Sequence, residues 1–282
     1  MRWMARRAWS TNRRARVLTV LAVAVAYGIV LLIPVNVGAA SLAHRPGLSP
    51  RQLPTISRTL PTISRTAQPF GGVAAVGPLF TVSAGQPGTH FCTASVVHSA
   101  HGDLAVTAAH CLTGINGQIV FVPGYANGKE PYGVWQVNAV YTDPAWQSSQ
   151  DPDDDVAFLR LSDARGGVPI EALTGAERLG TGWQVPALVR VIGYPGGAGQ
   201  PVSCTNWTKS FSPTQLEFDC GGYPDGTSGG PFLADGPAAS SQGTVIGVIG
   251  GYEQGGDTPE VSYSPAFGAA VAALYRSAEA GD

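Results

Sequence analysis

PDGTSGGPF, residues 224–232, sets one serine among three glycines and two prolines. Glycine loses more conformational freedom on folding than any other residue, so such a cluster implies a backbone path that side chains would forbid. A surface turn would use Pro-Asp-Gly in this way. A nucleophile loop would use the glycines to aim backbone N–H groups at the point where a substrate oxygen becomes negative. A serine hydroxyl is a weak nucleophile, so the second reading needs a base within reach. Where the bases fall along the chain therefore decides which fold could deliver one.

The chain has five histidines, and none comes after Ser228. His44 lies in a stretch rich in Pro, Ser, Thr and Arg, while His90, His98, His101 and His110 all precede Cys111. Gly226-Thr227-Ser228-Gly229-Gly230 fits the G-x-S-x-G elbow of α/β-hydrolases, whose catalytic groups run serine, acid, histidine. That order needs a later histidine, so the elbow reading fails. The reverse order is available. His110 ends an apolar run in LAVTAAHCL (104–112), beside a cysteine whose disulfide would hold the turn that presents the imidazole. Asp155 opens DVAFLRL (155–161), where an acid leads into a buried strand; Asp153 and Asp154 are fallback orienters. Each feature has an ordinary structural reading. A lone histidine is commonly a surface or satisfied core residue, and DPDDD (151–155) is commonly a solvated acidic turn or, less often, a calcium loop. The three motifs in this order argue against accident.

From Phe70 onward, short apolar runs alternate with Gly, Pro, Asn and Asp. PLFTVSA, FCTASVV, DLAVTAA, QIVFVPG, GVWQVNAVY, DVAFLRL, PALVRVIGY and GTVIGVIGG read as eight short strands, the pattern of an all-β sandwich or barrel. PAFGAAVAALYRSAEA (265–280) reads as a helix of about 266–279, with Phe267, Val271, Leu274 and Tyr275 on one face. GGVPIEALTGAERLGTGW (166–183) separates two groups of strands, giving β lobes of about 69–165 and 184–265.

Charge is distributed unevenly. Residues 1–68 hold ten arginines and no acid, so in residues 69–282 seven Lys/Arg face all nineteen Asp/Glu, a net of −12. That field repels phosphates and excludes nucleic acid as the expected partner. Residues 1–40 carry an arginine-rich start, an apolar run from Val17 to Ile33 and the small-residue stretch Val37–Ala40. This is the order of a secretory signal cleaved near Ala39 or Ala40, or of an uncleaved anchor, and either places the body outside the cytoplasm. Residues 41–68 read as a linker or removable pro-segment, with LPTISRT at 53–59 repeated at once at 60–66. Residues 69–282 form the folded domain in this reading. Cys92, Cys111, Cys204 and Cys220 suit an oxidising destination and lack zinc-site spacing. Three pairings are open; the simplest is local, Cys92 with Cys111 and Cys204 with Cys220, each contributing about 3 kcal/mol by loop closure.

TAAHC, DVAFL and GTSGGP together resemble the chymotrypsin/trypsin-like serine peptidase superfamily, in its bacterial secreted branch of glutamyl endopeptidases and actinobacterial trypsin-like peptidases. The resemblance covers about residues 70–275. It implies two six-stranded antiparallel β-barrels with the active site in the cleft between them, and then a C-terminal helix. It implies hydrolysis of peptide bonds through an acyl-enzyme, with Ser228 as nucleophile, His110 as general base and Asp155 as its orienter. The amides of Gly226 and Ser228 are the implied oxyanion hole, with Gly222, Tyr223, Ile249, Gly250 and Gly251 around the substrate side chain.

One departure matters. Many relatives carry aspartate where this chain has Thr227, and in trypsin-like zymogens that carboxylate is neutralised by a newly released terminal amine. Thr227 has no charge to pair, and no IVGG-like start lies near residue 70, so amine insertion is not expected here. Gly222 stands where an acid would select Lys or Arg, and the second lobe has no histidine to select Glu; the expected preference is for uncharged side chains. The competing readings are a secreted binding protein on a protease fold and an esterase using the same three residues. The expected partners are protein or peptide substrates, with membrane contact only through the N-terminal segment if it stays uncleaved, in a monomer. No metal, nucleotide or organic cofactor is implied.

Overall fold

The short strand runs fold as two β structures that share a face. The computed structural model describes residues 62–83, 85–163, 167–236 and 242–281, which belong to one compact unit. The expected signal or anchor and most of the linker lie outside the described residues.

The first structure is a closed barrel of β2 (Val76–Ser83), β3 (Gln86–Val97), β4 (Leu104–Thr107), β5 (Ile119–Phe121), β6 (Trp135–Thr142) and β7 (Ala157–Asp163), in the order β2-β3-β4-β7-β6-β5. Every neighbouring pair is antiparallel. All four residues of β4 are buried, because that strand lies between β3 and β7 and carries apolar side chains or threonine throughout. Leu79, Val96, Leu104, Val106, Phe121, Phe158 and Leu159 fill this core, each buried aliphatic or aromatic side chain contributing about 1.5–3 kcal/mol.

The second structure is a sheet ordered β14-β11-β10-β9-β12-β13-β8. Its strands are β8 (Arg178–Leu179), β9 (Leu188–Gly193), β10 (Val202–Ser210), β11 (Gln215–Asp219), β12 (Pro231–Ala234), β13 (Thr244–Val248) and β14 (Val261–Pro265), with β1 (Gln68–Pro69) laid along β10. No strand ladder closes it among the described residues. The sheet curls until β13 and the residues just after it meet β14, through Val248 N to Ser264 Oγ at 2.9 Å and Gly250 N to Tyr263 O at 3.0 Å. One pairing, β8 with β13, is parallel. The expected second barrel is therefore a barrel-like sheet stitched at its edges, and Val189, Val191, Phe218, Phe232 and Ile246 pack inside it.

Among the described residues three α-helices complete the fold: α1 (Pro144–Ser149), α2 (Ile170–Thr174) and α3 (Ala269–Ala280). Phe267 and Val271 are buried, and Leu274 and Tyr275 pack against the first barrel's core, as the helical periodicity requires. The Tyr275 hydroxyl donates to His98 O at 2.7 Å, and the Arg160 guanidinium donates to Ala278 O. Both disulfides take the local pairing, Cys92–Cys111 and Cys204–Cys220, which fits an oxidising compartment. Among the described residues, no helix is long and apolar enough to cross a membrane.

Candidate active site

His110 begins a short 3-10 turn, His110–Leu112, directly after β4, and Cys111 within that turn is tied by its disulfide to β3. The imidazole side chain is 11 % exposed, so it stands at the barrel surface with one ring nitrogen turned inward. Asp155 comes directly after the 3-10 turn Pro152–Asp154 and is fully buried. Its carboxylate accepts three N–H groups. Oδ1 takes the His110 backbone amide at 2.8 Å, and Oδ2 faces His110 Nδ1 at 2.7 Å and takes the Gly251 amide at 2.8 Å. A buried carboxylate is tolerated when its lone pairs are occupied in this way. With Nδ1–H donated to Asp155, Nε2 is left as the ring's acceptor.

Asp153 and Asp154 do other work. The Asp153 carboxylate accepts from the Gln215 amide nitrogen at 2.7 Å. Partial burial and the neighbouring Asp143, Asp151 and Asp153 hold the Asp154 carboxyl above its ordinary value. The remaining described histidines are elsewhere. His98 pairs with Glu171 at 2.6 Å, which raises its pKa, and His101 is exposed. His90 is buried with Nε2 3.1 Å from Ala198 O, and burial lowers its pKa.

Ser228 is half-buried on the loop joining β11 to β12, and it lines the same cleft as His110. The glycines that flank it fill narrow spaces. Gly226 has φ +93°, and an added Cβ would sit 2.5 Å from Gly196 N; Gly229 has φ +79°, and its Cβ would sit 2.1 Å from Thr107 Oγ1. Thr227, Gly229 and Gly230 donate their amides to Pro224 O, Ile249 O and Thr227 O. Among the described residues no hydrogen bond engages the amides of Gly226 or Ser228. The Thr227 hydroxyl donates to Pro224 O at 2.7 Å, and the residue is buried against Gly193. It is thus a satisfied, neutral plug.

A residue that sequence reasoning missed joins the two halves. Thr93, on β3, donates its amide to Ser228 O at 2.7 Å and its hydroxyl to Gly226 O at 3.0 Å. Its hydroxyl also accepts the Tyr194 amide at 2.9 Å, and its carbonyl accepts from Thr107 Oγ1 at 2.7 Å. The available signal is a threonine inside the apolar run FCTASVV, since a buried hydroxyl must find partners.

The cleft holds about 510 Å³ and is bounded by Phe91, Cys92 and His110 on one side and Tyr223–Ser228, Ile249 and Glu253–Asp257 on the other. Of the expected substrate-binding residues, Tyr223 and Ile249 line it. The Tyr223 ring is buried in the second sheet with its hydroxyl on Val191 O at 2.9 Å, so its backbone forms the wall, and burial raises its pKa. Gly250 and Gly251 sit behind the cleft against Asp155; an added Cβ on Gly250 would lie 2.9 Å from Asp155 Oδ2. Gly222 borders a different cavity, of about 890 Å³, beside Ile63, Arg65 and Thr66. Three acidic residues line the cleft, Asp225, Glu253 and Asp257, of which sequence reasoning missed Glu253 and Asp257 as wall residues. Glu253 and Gln254 hold φ of +50° and +53°, the left-handed region that costs a non-glycine residue about 1–2 kcal/mol. Cys92, His110 and Cys111 gather as a metal site might, but both sulfurs are spent in the disulfide and offer no thiolate.

Solved bacterial serine proteases share this architecture. The protease Anisep from Arthrobacter nicotinovorans superposes with a TM-score of 0.64 at 24 % identity, over 76 % of this chain and 100 % of its own. The thermostable serine protease AL20 from an extremophilic microorganism gives 0.63 at 25 %, over 74 % and 98 %. A Glu endopeptidase gives 0.58 at 14 %, over 77 % and 93 %. No curated protein matches the chain by sequence. The trypsin-like peptidase domain model matches residues 88–248, more than half of the chain and the whole span from His90 past Ser228. The chain therefore belongs to the trypsin-like peptidase family, as a chymotrypsin-like serine endopeptidase acting on proteins or peptides.

Proposed function

We propose that the chain is an exported endopeptidase that cleaves peptide bonds through an acyl-enzyme, using His110, Asp155 and Ser228. The observation that carries this reading is the His110–Asp155 pair at 2.7 Å, buried on the acid side, opening onto the cleft that Ser228 lines. Ser228 Oγ attacks the scissile carbonyl while His110 Nε2 takes its proton. Asp155 fixes the tautomer and stabilises the imidazolium. The proton then goes to the leaving amine, and water repeats the sequence to release the acid. The amides of Gly226 and Ser228 receive the oxyanion, each such donor contributing about 3 kcal/mol to the transition state. The first 40 residues direct export, and the two disulfides suit that destination.

The cleft lining disfavours acidic substrate side chains. Asp225, Glu253 and Asp257 face it, and no Lys or Arg does among its lining residues. Uncharged side chains fit beside Ile249 and the Tyr223 backbone.

A fluorophosphonate probe tests the assignment. Stoichiometric labelling at Ser228 is expected, with peptide turnover falling about 10⁶-fold in Ser228→Ala. Labelling elsewhere, or peptide turnover that survives in Ser228→Ala, overturns it. A peptide library reports the side-chain preference, and fast cleavage after Glu contradicts the reading of the lining.

A further inference from the structure

Residues 64–68 fall within the stretch that composition assigns to a linker or pro-segment, yet together with Pro69 they are woven into the second sheet. Ser64 N donates to Thr205 O at 2.9 Å, Gln68 and Pro69 pair with Ser203 and Val202 on β10, and Phe70 N donates to Pro201 O at 3.0 Å. Between these anchors the segment grips the stretch leading into the cleft wall. Gly221 N donates to Arg65 O at 2.9 Å, Ala67 N donates to Gly221 O at 2.7 Å, and Thr66 forms a parallel bridge with Gly221. From the other side Pro259 O accepts the amides of Gly222 and Tyr223. Residues 221–223 are thus held between two backbones, one of them the linker's end.

We propose that residues 64–69 form a positioning strap that fixes the substrate-binding wall Tyr223–Ser228 from behind. This rests on the peptidase reading for its effect on turnover. The bonds that tie the strap to residues 221 and 205 are made by backbone peptide groups, so they order the wall with no terminal amine, in keeping with the neutral Thr227. The buried Ala67 sets the register. It is 7 % exposed, and a Cβ built on Gly222 would lie 3.3 Å from its methyl group. The two LPTISRT copies lead into different residues, the second into Ala67-Gln68 and the first into Leu60-Pro61. Leu60 would overfill the place of Ala67, and Pro61 would stand where Gln68 pairs with Ser203. The residues that follow the second copy therefore suit this register, and those that follow the first do not. Processing that yields active enzyme must cut at or before Ser64, so an active exported species beginning at Ala67 or later overturns the proposal.

The direct test uses the full chain with Ala67→Leu and the milder wedge Ala67→Val, against Ala67→Gly, which keeps the amide and adds no bulk. Leu274→Ala in α3 supplies a control for lost stability. The strap predicts KM for a peptide substrate raised about tenfold in Ala67→Leu, less in Ala67→Val, and least in Ala67→Gly. It also predicts faster amide exchange at residues 221–226 in Ala67→Val than in the parent. KM and exchange no different from those of Leu274→Ala overturn it. If Ala67→Leu does not fold, the comparison rests on Ala67→Val. If the parent is not labelled at Ser228, the peptidase reading fails, and the exchange measurement still decides the strap.

Discussion

The two halves of the molecule hold their functional groups by different means. The first barrel closes on itself through antiparallel ladders, and it fixes His110 and Asp155 by side-chain hydrogen bonds in a buried corner. The second is an edge-stitched sheet that presents Ser228 on a loop shaped by glycine backbones with positive φ. A side-chain arrangement fails when its donors and acceptors are mismatched. A backbone arrangement fails when bulk is added. Thr93 is where the two meet, since it belongs to the first barrel and bonds the carbonyls of both Gly226 and Ser228.

The largest expected effect strikes the side-chain arrangement. Asp155 accepts three N–H groups on two oxygens, whereas an asparagine offers one acceptor oxygen and one NH₂. In Asp155→Asn either the His110 amide or the Nδ1 and Gly251 pair must face a donor. If the NH₂ faces Nδ1, the imidazole is driven into the tautomer with its proton on Nε2 and can no longer accept from serine. Peptide turnover should fall about 10⁴-fold, the loss this change gives in such a triad, with the serine still present for slow labelling. A loss under tenfold in steady-state assays would show that Asp155 does not set the tautomer.

Gly229→Ala breaks the backbone arrangement instead. The new methyl would meet Thr107 Oγ1 at 2.1 Å and Thr93 O at 2.2 Å, at a residue whose φ of +79° already disfavours a side chain. Both neighbours lie on the first barrel, so the methyl wedges the halves apart at Thr93. Overpacking and the left-handed backbone together should cost about 3 kcal/mol in urea unfolding, accompanied by about 100-fold lower turnover from the displaced hydroxyl. Unchanged unfolding in this variant would mean that the loop does not need its glycine.

Much of this is legible in the sequence because it is local. The order of TAAHC, DVAFL and GTSGGP points to the three residues proposed for catalysis, and period and turn residues mark each of the first barrel's strands. The second half is harder. β10, β11, β12 and β14 carry no clear mark: β10 mixes Trp207 and Lys209 with its buried Cys204, and β12 is only four residues placed just after the glycine loop. The parallel β8 has two residues and no periodicity to read. Gly222, Gly250 and Gly251 are expected at the substrate from their position relative to the serine, but position does not say which face of a glycine meets the cleft. Glu253 and Asp257 come to line it at and beyond a left-handed turn that no local pattern announces.

Glu177 tests the seam between the halves and carries the smallest of these effects. Its backbone bridges them, donating to Val96 O at 2.9 Å and accepting from His98 N at 2.8 Å beside β3, while Arg178 N donates to Gly243 O ahead of β13. Its side chain is fully buried; Oε2 accepts the Gly243 amide, and Oε1 has no hydrogen-bond partner among the described residues. Burial, opposed by the Gly243 bond and by Arg178 and Arg190, pushes the carboxyl from 4.5 up to about 7. An acid whose folded pKa is raised favours the folded state most when protonated in both states. Its contribution is complete below pH 4.5 and is lost as the pH rises through about 7, a change of about 3 kcal/mol. Gln cannot ionise, yet it keeps an oxygen for Gly243 N, so Glu177→Gln should remove that part of the slope. The parent minus variant difference in unfolding free energy should drift by about 3 kcal/mol between pH 4 and pH 8, in the direction of a relatively weaker parent at high pH. A flat difference would mean that the carboxylate finds enough solvent or charge at the seam to ionise as it does in the unfolded chain.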